Sequence, residues 1–487
     1  MPKNESVFEK LHGQDARATK DRLFTHPLRV GESEVNVLQR MLELNTRLNE
    51  FIWGPAMIIA IVGVGLFLTV GTGLVQFRRF GAMLKETLLR KKRAGAEGDI
   101  SPFAALSTAL AGTVGVGNIA GVAAAIAMGG PGAIFWMWVS GLLGMGTKFA
   151  EVTLGVAYRA RQTSGPMVGG PMMYIERGMG KKFKFLAVIF AVIGGLAAFG
   201  IGNMTQANSV AEGLEQFDVP RAVTGVLLIL SVGLVTVGGV KRIAHVAMVC
   251  VPFMCGIYFL GAVIIILSHI QSVPETVLLI FRSAFRPVAA AGGFAGVGVK
   301  QAIRWGIARG VFSNEAGLGS ASMAHATAQT DHPARQGLWG ILEVFVDTIV
   351  ICSATALAIL VTGTWKSGST GAALTMSAFQ TVFGKQVGFS VVALSMVLTA
   401  YDTILAWGFY GETCSAYLFG PRARAVYRIL WLGPIMLGSL GELQAVWALA
   451  DTLNGLMAVP NLIALVCLGP VVFRLTKEFF AKSPETR

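Results

Sequence analysis

The chain alternates between long apolar runs and short polar connections over most of its length. Several runs exceed the roughly 18 residues that an α-helix needs to cross a bilayer, and none alternates with the period of two expected of membrane-spanning strands. The pattern therefore predicts an all-α polytopic membrane protein. It predicts eleven spans, centred in the windows 53–72, 103–128, 132–157, 185–209, 221–240, 245–268, 300–328, 337–361, 387–415, 427–441 and 446–473.

Composition supports a membrane protein and indicates its partners. Charged residues make up 14% of the chain, against about 25% in soluble proteins, and the mean hydropathy is +0.63. The net charge of +13 lies mainly in short loops between apolar runs. We therefore expect contact with the lipid bilayer and none with nucleic acid. The cysteines lie in or beside apolar runs without the spacing of a metal or disulfide site.

Basic residues cluster directly after the first span. Because loops rich in lysine and arginine stay in the cytoplasm, this loop should lie inside, and an odd number of spans then places the N-terminus outside and the C-terminus inside. The predicted location is the cell inner membrane. The residues of this cluster are Arg78, Arg79, Lys85, Arg90, Lys91, Lys92 and Arg93.

Ten spans remain after the first, and they divide into two sets of five. Each set opens with a glycine-interrupted span, "GTVGVGNIAG" at 112–121 and "RGVFSNEAGLGSASMAHA" at 309–326. Interrupted helices at matching positions of two halves are typical of inverted-repeat transporters. The predicted organisation is a polar tail (1–50), an extra N-terminal helix (51–76), a first repeat (103–268), a second repeat (300–473) and a cytoplasmic tail (474–487).

The chemistry of an interrupted helix suggests its ligand. An unwound turn frees backbone N–H and C=O groups, which must face a protein cavity or a ligand inside a membrane. Half-helix N-termini attract a carboxylate, and freed carbonyls attract an ammonium or a metal ion. Close helix packing explains the glycines, but it does not explain Asn118 or the run Ser313–Glu315. Two such breaks side by side suit an amino acid together with sodium.

The chain resembles the alanine or glycine:cation symporter family over nearly its whole length beyond the tail. The resemblance implies a leucine-transporter-like fold of two inverted five-helix repeats plus one helix, and cation-driven uptake of a small amino acid. The stretches that carry it are "GTVGVGNIAGVAAAIAMGGPGAIFWMWVSGLLGMGTKFAE" (112–151), "GGPMMYIERGMG" (169–180), "GIARGVFSNEAGLGSASMAHATA" (306–328) and "AWGFYGE" (406–412).

The resemblance also implies the site residues. Substrate contacts would come from Thr113, Gly115, Val116, Gly117, Asn118, Gln206, Phe312, Thr403 and Trp407. For Gln206, an interhelical hydrogen bond is an equally good explanation. Phe312 and Trp407 would enclose a small apolar cavity. Sodium ligands would come from the first break, Ala111 and Val114, and from Thr399, Asp402 and Thr403, which share one helical face. Asp402 stands where the family usually has serine.

Other charged residues lie inside predicted spans. Lys148 and Glu151 are three residues apart, so we expect them to pair. None of the remaining charges sits at a break, so gating or structural pairing is the expected role, and His325 is expected to be a hydrogen-bonded packing residue. The remaining carboxylates are Glu343, Asp347, Glu442 and Asp451.

The leading prediction is a secondary transporter that imports alanine or glycine by sodium symport and acts as a monomer. A proton-coupled symporter with Asp402 as the titrating group is the first alternative. A sensor built on a transporter body is the second. A membrane enzyme is disfavoured, because the sequence has no HExxH motif and no nucleophile elbow.

Overall fold

The structure is a computed structural model that describes residues 32–89, 96–161, 165–215, 217–286, 298–441 and 444–482. The chain divides into two compact units, Met1–Leu48 and Asn49–Arg487. Helix α1 (Glu32–Ile52) begins in the first unit. The rest of the polar tail and the basic residues 90–93 lie outside the described residues, as does the stretch 287–297.

Helices make up nearly all of the described chain. They are α2 (Pro55–Gly71), α3 (Val75–Arg78), α4 (Phe80–Leu84), α5 (Pro102–Thr113), α6 (Val122–Gly129), α7 (Gly132–Ala157), α8 (Pro171–Tyr174), α9 (Lys184–Phe199), α10 (Thr205–Glu215), α11 (Arg221–Val237), α12 (Gly239–Ser268), α13 (Val273–Phe285), α14 (Val299–Asn314), α15 (Ala321–His325), α16 (Pro333–Val344), α17 (Ser353–Val361), α18 (Gly371–Phe419), α19 (Ala423–Leu440) and α20 (Gln444–Lys482). Strands β1 (Ala160–Arg161) and β2 (Met167–Val168) form an antiparallel hairpin.

Shorter helical turns join several of these helices. π-Helical turns occur at Lys85–Leu89, Gly117–Gly121, Ile175–Met179, Gly200–Met204 and Phe345–Cys352, and 3-10 turns at Lys181–Phe183, Ile270–Ser272 and Thr364–Ser367. Helix α18 contains one non-helical residue, Gly384, with φ 76°. Such turns are frequent where a helix bends or carries a functional site.

Six helices in the described chain are long and apolar enough to cross a membrane, and the bent pair formed by α5 and Gly117–Gly129 would make a seventh. Helical segments lie in all eleven predicted windows, but the count of eleven spans and the inverted repeat stay predictions. The breaks explain part of the shortfall, because they leave pieces such as the 16-residue α14, and α11 has only 17 residues. The six are Glu43–Gly71, Lys181–Glu215, Gly239–Ser268, Pro333–Val361, Gly371–Phe419 and Ala448–Ala481.

Two helices organise the core. Helix α7 packs against α14 and α16, and helix α18 packs against α5, α9, α10 and α12. Glycines allow the close approach to α7: a Cβ on Gly306 of α14 would overlap the carbonyl group of Ala133, and one on Gly340 of α16 would lie 3.1 Å from the carbonyl oxygen of Lys148. Small residues at such contacts let membrane helices pack tightly. Both interrupted helices are thereby held beside α7 and α18.

The chain before the first interrupted helix is tied to the chain after the second. Ile100 and Ala328 form an isolated parallel bridge. The guanidinium of Arg159 donates to the carbonyl oxygens of Ala326 (3.1 Å), Ala328 (2.6 Å) and Glu97 (2.7 Å). Burial lowers the pKa of Arg159 from its ordinary value, yet arginine keeps its proton in proteins. One cation therefore crosslinks two segments through their backbones.

Candidate substrate and cation site

The first predicted break is present. Helix α5 ends at Thr113, and Val114 leaves the helical conformation with φ −77° and ψ 94°. The chain resumes through the π-helical turn Gly117–Gly121, and the two arms meet at a bend of 52°. The change of direction at Val114 frees backbone groups of this turn from the regular helical ladder. This is the local chemistry that the glycine-rich stretch predicts.

Glycines bring the predicted site residues together. A Cβ on Gly117 would lie 3.4 Å from the ring of Phe312, and one on Gly115 would lie 3.1 Å from the hydroxyl oxygen of Thr403. The first break is therefore in close contact with α14 and with α18. Gly117 and Phe312 are half-buried, and the other predicted site residues are buried, namely Ala111, Thr113, Val114, Gly115, Val116, Asn118, Gln206, Thr399, Asp402, Thr403 and Trp407.

The second break follows α14. Glu315 adopts the left-handed conformation, φ 55°, and ends the helix. The freed backbone is satisfied by side chains from other helices: the N–H of Gly317 donates to Oε1 of Glu151 (2.9 Å), and its carbonyl accepts from Nδ2 of Asn461 (2.8 Å). The helix restarts at Ala321. A break inside a membrane protein needs such partners, so Glu151 and Asn461 act as braces.

The two breaks meet at one carboxylate, Asp347, which lies far from both along the sequence. Asp347 accepts hydrogen bonds from Nδ2 of Asn118 (2.7 Å) and from the hydroxyl of Ser313 (3.0 Å). The hydroxyl of Thr348 donates to it as well (2.7 Å). The expectation that none of the remaining carboxylates sits at a break is therefore wrong for Asp347. The signal that could have found this contact is the polarity of Asn118 and Ser313, since buried polar groups need partners.

The predicted pair of Lys148 and Glu151 is also wrong. The ammonium of Lys148 lies 3.2 Å from Oε1 of Glu343, and both side chains are fully buried. Glu343 also contacts Nε2 of His325 at 3.0 Å, and Nδ1 of the same ring lies 2.9 Å from Nε2 of Gln336. The carboxylate of Glu151 accepts a hydrogen bond from Gly317 in the second break instead. Spacing on one helix favours local pairs, but here Lys148 pairs with Glu343 of α16, and Glu151 accepts from Gly317 and Asn461.

Helix α18 provides the predicted cation ligands. The hydroxyl of Thr403 donates to the carbonyl oxygens of Ala111 (3.0 Å) and Thr399 (2.9 Å), so these three residues are brought together. The hydroxyl of Thr399 donates to the carbonyl oxygen of Met396 (3.0 Å). Asp402 is fully buried, and neither of its carboxylate oxygens has a hydrogen-bond partner among the described residues. A buried carboxylate without a partner is costly, and a cation or a proton would relieve that cost.

The remaining predicted pocket residues, Gln206, Trp407 and Phe312, contact different partners. Nε2 of Gln206 donates to the carbonyl oxygen of Ile201 (2.9 Å) across the π-helical turn, so the contact lies within its own helical segment. Its Oε1 has no partner in the described part of the chain. The indole N–H of Trp407 donates to Oε1 of Glu315 (3.1 Å). The guanidinium of Arg309 lies 5.3 Å from the centre of the Phe312 ring, within the range of a cation–π contact.

The chain is similar in sequence to proteins named as transporters. The chain is 47% identical over 438 residues to an uncharacterized transporter of Haemophilus influenzae, covering 89% of this chain and 95% of that protein. It is 44% identical over 445 residues to the sodium/alanine symporter AgcS of Methanococcus maripaludis, covering 90% of this chain and 97% of that protein.

The fold is similar to that of solved transporters. The structure of MhsT in complex with L-phenylalanine matches with a TM-score of 0.55 at 12% identity, covering 79% of this chain and 99% of that one. At this identity the likeness concerns the fold alone. A profile described as the sodium:alanine symporter family matches residues 38–487. The expected resemblance is confirmed: the chain is a transporter and belongs to the sodium:alanine symporter family.

Proposed function

We propose that the chain imports a small neutral amino acid, alanine or glycine, by sodium symport, as a monomer in the cell inner membrane. The observation that carries the proposal is the meeting of two broken helices at the buried carboxylate of Asp347. A second buried carboxylate, Asp402 on α18, has no partner among the described residues. The family description and the relative named as a sodium/alanine symporter support alanine as substrate and sodium as coupling ion.

The amino acid and the sodium ion need different binding atoms in the protein. The carboxylate of the amino acid would be bound by N–H groups of the turn 113–118, and its ammonium by freed carbonyls. The oxygen of Gln206 that has no partner in the described chain is a further acceptor for the ammonium. Sodium is a hard cation that prefers oxygen ligands. These would come from the carbonyls of Ala111 and Val114, the hydroxyls of Thr399 and Thr403, and Asp402.

Uptake into proteoliposomes of purified protein tests the proposal. A sodium gradient should drive accumulation of labelled alanine and glycine above their external concentrations. Uptake driven by a proton gradient in sodium-free buffer would support the alternative with Asp402 as the titrating group. Absence of counterflow, with binding of alanine retained, would support the sensor alternative. Either of these results contradicts sodium symport.

Substrate size depends on Phe312 in this proposal. Phe312→Ala should enlarge the apolar side of the pocket and admit valine and leucine. One methylene in such a pocket changes discrimination by roughly 1–3 kcal/mol, so the gain should be graded with side-chain length. Competition of unlabelled amino acids against labelled alanine measures it. A variant that loses alanine transport without gaining affinity for valine or leucine would exclude Phe312 from the pocket wall.

We propose an external N-terminus and a cytoplasmic C-terminus from the basic residues that follow the first span. Lys20→Cys should react with an impermeant thiol reagent in intact cells, and Lys92→Cys should not. Both are made in a background without the five native cysteines. Permeabilised cells provide the control, because both positions should then be labelled. Labelling of Lys92→Cys alone in intact cells would reverse the orientation.

A further inference from the structure

The side chain of Trp407 is held on three sides. Gly202, in the π-helical turn between α9 and α10, is so close that any Cβ there would overlap the side chain of Trp407. Tyr410 packs edge-on against the indole, with 5.6 Å between ring centroids. The third contact is the hydrogen bond from Nε1 to Oε1 of Glu315 (3.1 Å). Since Trp407 is 2% exposed, loss of this bond would leave the indole N–H unsatisfied.

Glu315 owes its position to the second break. A non-glycine residue with φ 55° is uncommon and directs the chain out of α14. Oε2 of Glu315 accepts a hydrogen bond from the hydroxyl of Ser320, so its side chain spans the break. Within the described part of the chain, its carboxylate forms no salt bridge. The buried ammonium of Lys148 is paired with Glu343 instead. A carboxylate bound by two neutral donors in this way is a positioned acceptor.

Phe312 lies on α14, one helical turn before Glu315. The position of Phe312 therefore follows from α14, and the position of the Trp407 indole follows from Glu315, the residue that ends this helix. We infer that Glu315 is a positioning residue: its carboxylate fixes the indole of Trp407 and thereby the largest side chain that the substrate site admits. The inference rests on the proposed function, because it requires that Trp407 lines the pocket.

Two substitutions separate the hydrogen bond from the charge. Glu315→Gln keeps an oxygen that can accept from the indole, so the ratio of leucine to alanine uptake, compared as kcat/KM, should stay within about twofold of that of the unaltered protein. Glu315→Ala releases the indole and should raise the ratio about tenfold, which is the low end of the effect of one methylene. If Glu315→Ala does not fold, Glu315→Asp, one methylene shorter, should shift the ratio in the same direction.

A double-mutant cycle identifies the residue through which Glu315 acts. Trp407→Phe keeps an aromatic ring but has no N–H to donate. In this background, Glu315→Ala should change the uptake ratio no further, because the interaction is already absent. Glu151→Ala is the matched control: this buried carboxylate braces the same break through Gly317, so its loss should lower uptake without changing the ratio. Additive effects of Glu315→Ala and Trp407→Phe would overturn the inference.

A spectroscopic measurement tests the position of the ring without transport. The protein has nine tryptophans, and in protein labelled with 5-fluorotryptophan the Trp407→Phe variant identifies the ¹⁹F resonance of Trp407. Glu315→Ala should shift or broaden this resonance, and Glu315→Gln should not. An unchanged resonance in Glu315→Ala, or a changed resonance with an unchanged uptake ratio, contradicts the inference. If the unaltered protein does not transport alanine, the proposed function fails, and the resonance alone decides whether Glu315 holds the ring.

Discussion

Asp402→Asn should raise the sodium concentration for half-maximal alanine uptake at least tenfold and leave the order of preferred amino acids unchanged. The carboxylate of Asp402 is buried and has no hydrogen-bond partner among the described residues, so its charge is available to offset that of a cation in a low-dielectric site. An amide keeps one oxygen ligand but lacks the charge. A tenfold change corresponds to about 1.4 kcal/mol of lost binding free energy.

Thermal stability provides a second test of the role of Asp402. A ligand that binds the folded state stabilises it by an amount that grows with its concentration over Kd. The unaltered protein should therefore melt at a higher temperature in sodium than in potassium, and Asp402→Asn should lose most of this difference. In potassium, the variant should be at least as stable as the unaltered protein, because an amide costs less than an unpartnered carboxylate inside the protein.

Asp402→Ser is the control, since it removes the carboxylate but retains a hydroxyl ligand, as in the family pattern. It should keep sodium-dependent uptake, but with a raised half-maximal sodium concentration because it also lacks the charge. If Asp402→Asn leaves the sodium dependence of uptake unchanged but abolishes its pH dependence, the sodium assignment is wrong, and the proton-coupled alternative takes its place. A shift in amino-acid preference without a shift in sodium activation would place Asp402 at the substrate instead.

Asp347→Asn should reduce alanine transport by about tenfold to a hundredfold and raise the half-saturating concentrations of both alanine and sodium. Three donors, from Asn118, Ser313 and Thr348, point at this carboxylate. An asparagine has one side-chain oxygen, and its NH2 group would face a donor. A buried donor without a partner costs about 1–3 kcal/mol, and here that cost falls on both breaks together.

Thr348→Val is the comparison variant for Asp347→Asn, because it deletes one donor to the carboxylate and the acceptor of Asn314 Nδ2 but keeps the shape of the side chain. It leaves Asn118 and Ser313, one from each break, bound to Asp347. Its loss of transport should be clearly smaller. Uptake kinetics and thermal melting of the purified variants measure the two effects. If Asp347→Asn changes stability but neither half-saturating concentration, the carboxylate braces the fold and has no part in ligand binding.

The breaks could be predicted from sequence because glycine and asparagine are unfavourable in an apolar helix. The chain leaves the helix at Val114 and at Glu315, inside the two stretches that the composition singles out. Thr399 and Thr403 lie one helical turn apart on α18, as their spacing predicts, and Thr403 also bonds Ala111 of α5; their role as ligands stays a prediction. These features can be predicted from the local sequence, because each depends on residues within one or two helical turns.

The partners of buried charges could not be predicted in this way. Lys148 is paired with Glu343 although Glu151 lies one turn away on the same helix, and Asp347 joins two breaks that lie more than a helix away along the chain. These pairs depend on how α7, α14 and α16 pack, which the periodicity of a single helix does not specify. The role of Glu315 as acceptor for Trp407 was missed for the same reason.

The crosslink at Arg159 concentrates a connection between two segments in one side chain. All three of its strong acceptors are backbone carbonyls, at Glu97, Ala326 and Ala328. Side chains can therefore change along both segments without removing an acceptor, whereas lysine at 159 would lack the planar fork that reaches several carbonyls at once. Substitutions in the two segments would leave these acceptors in place, whereas any substitution at Arg159 would remove all three bonds together.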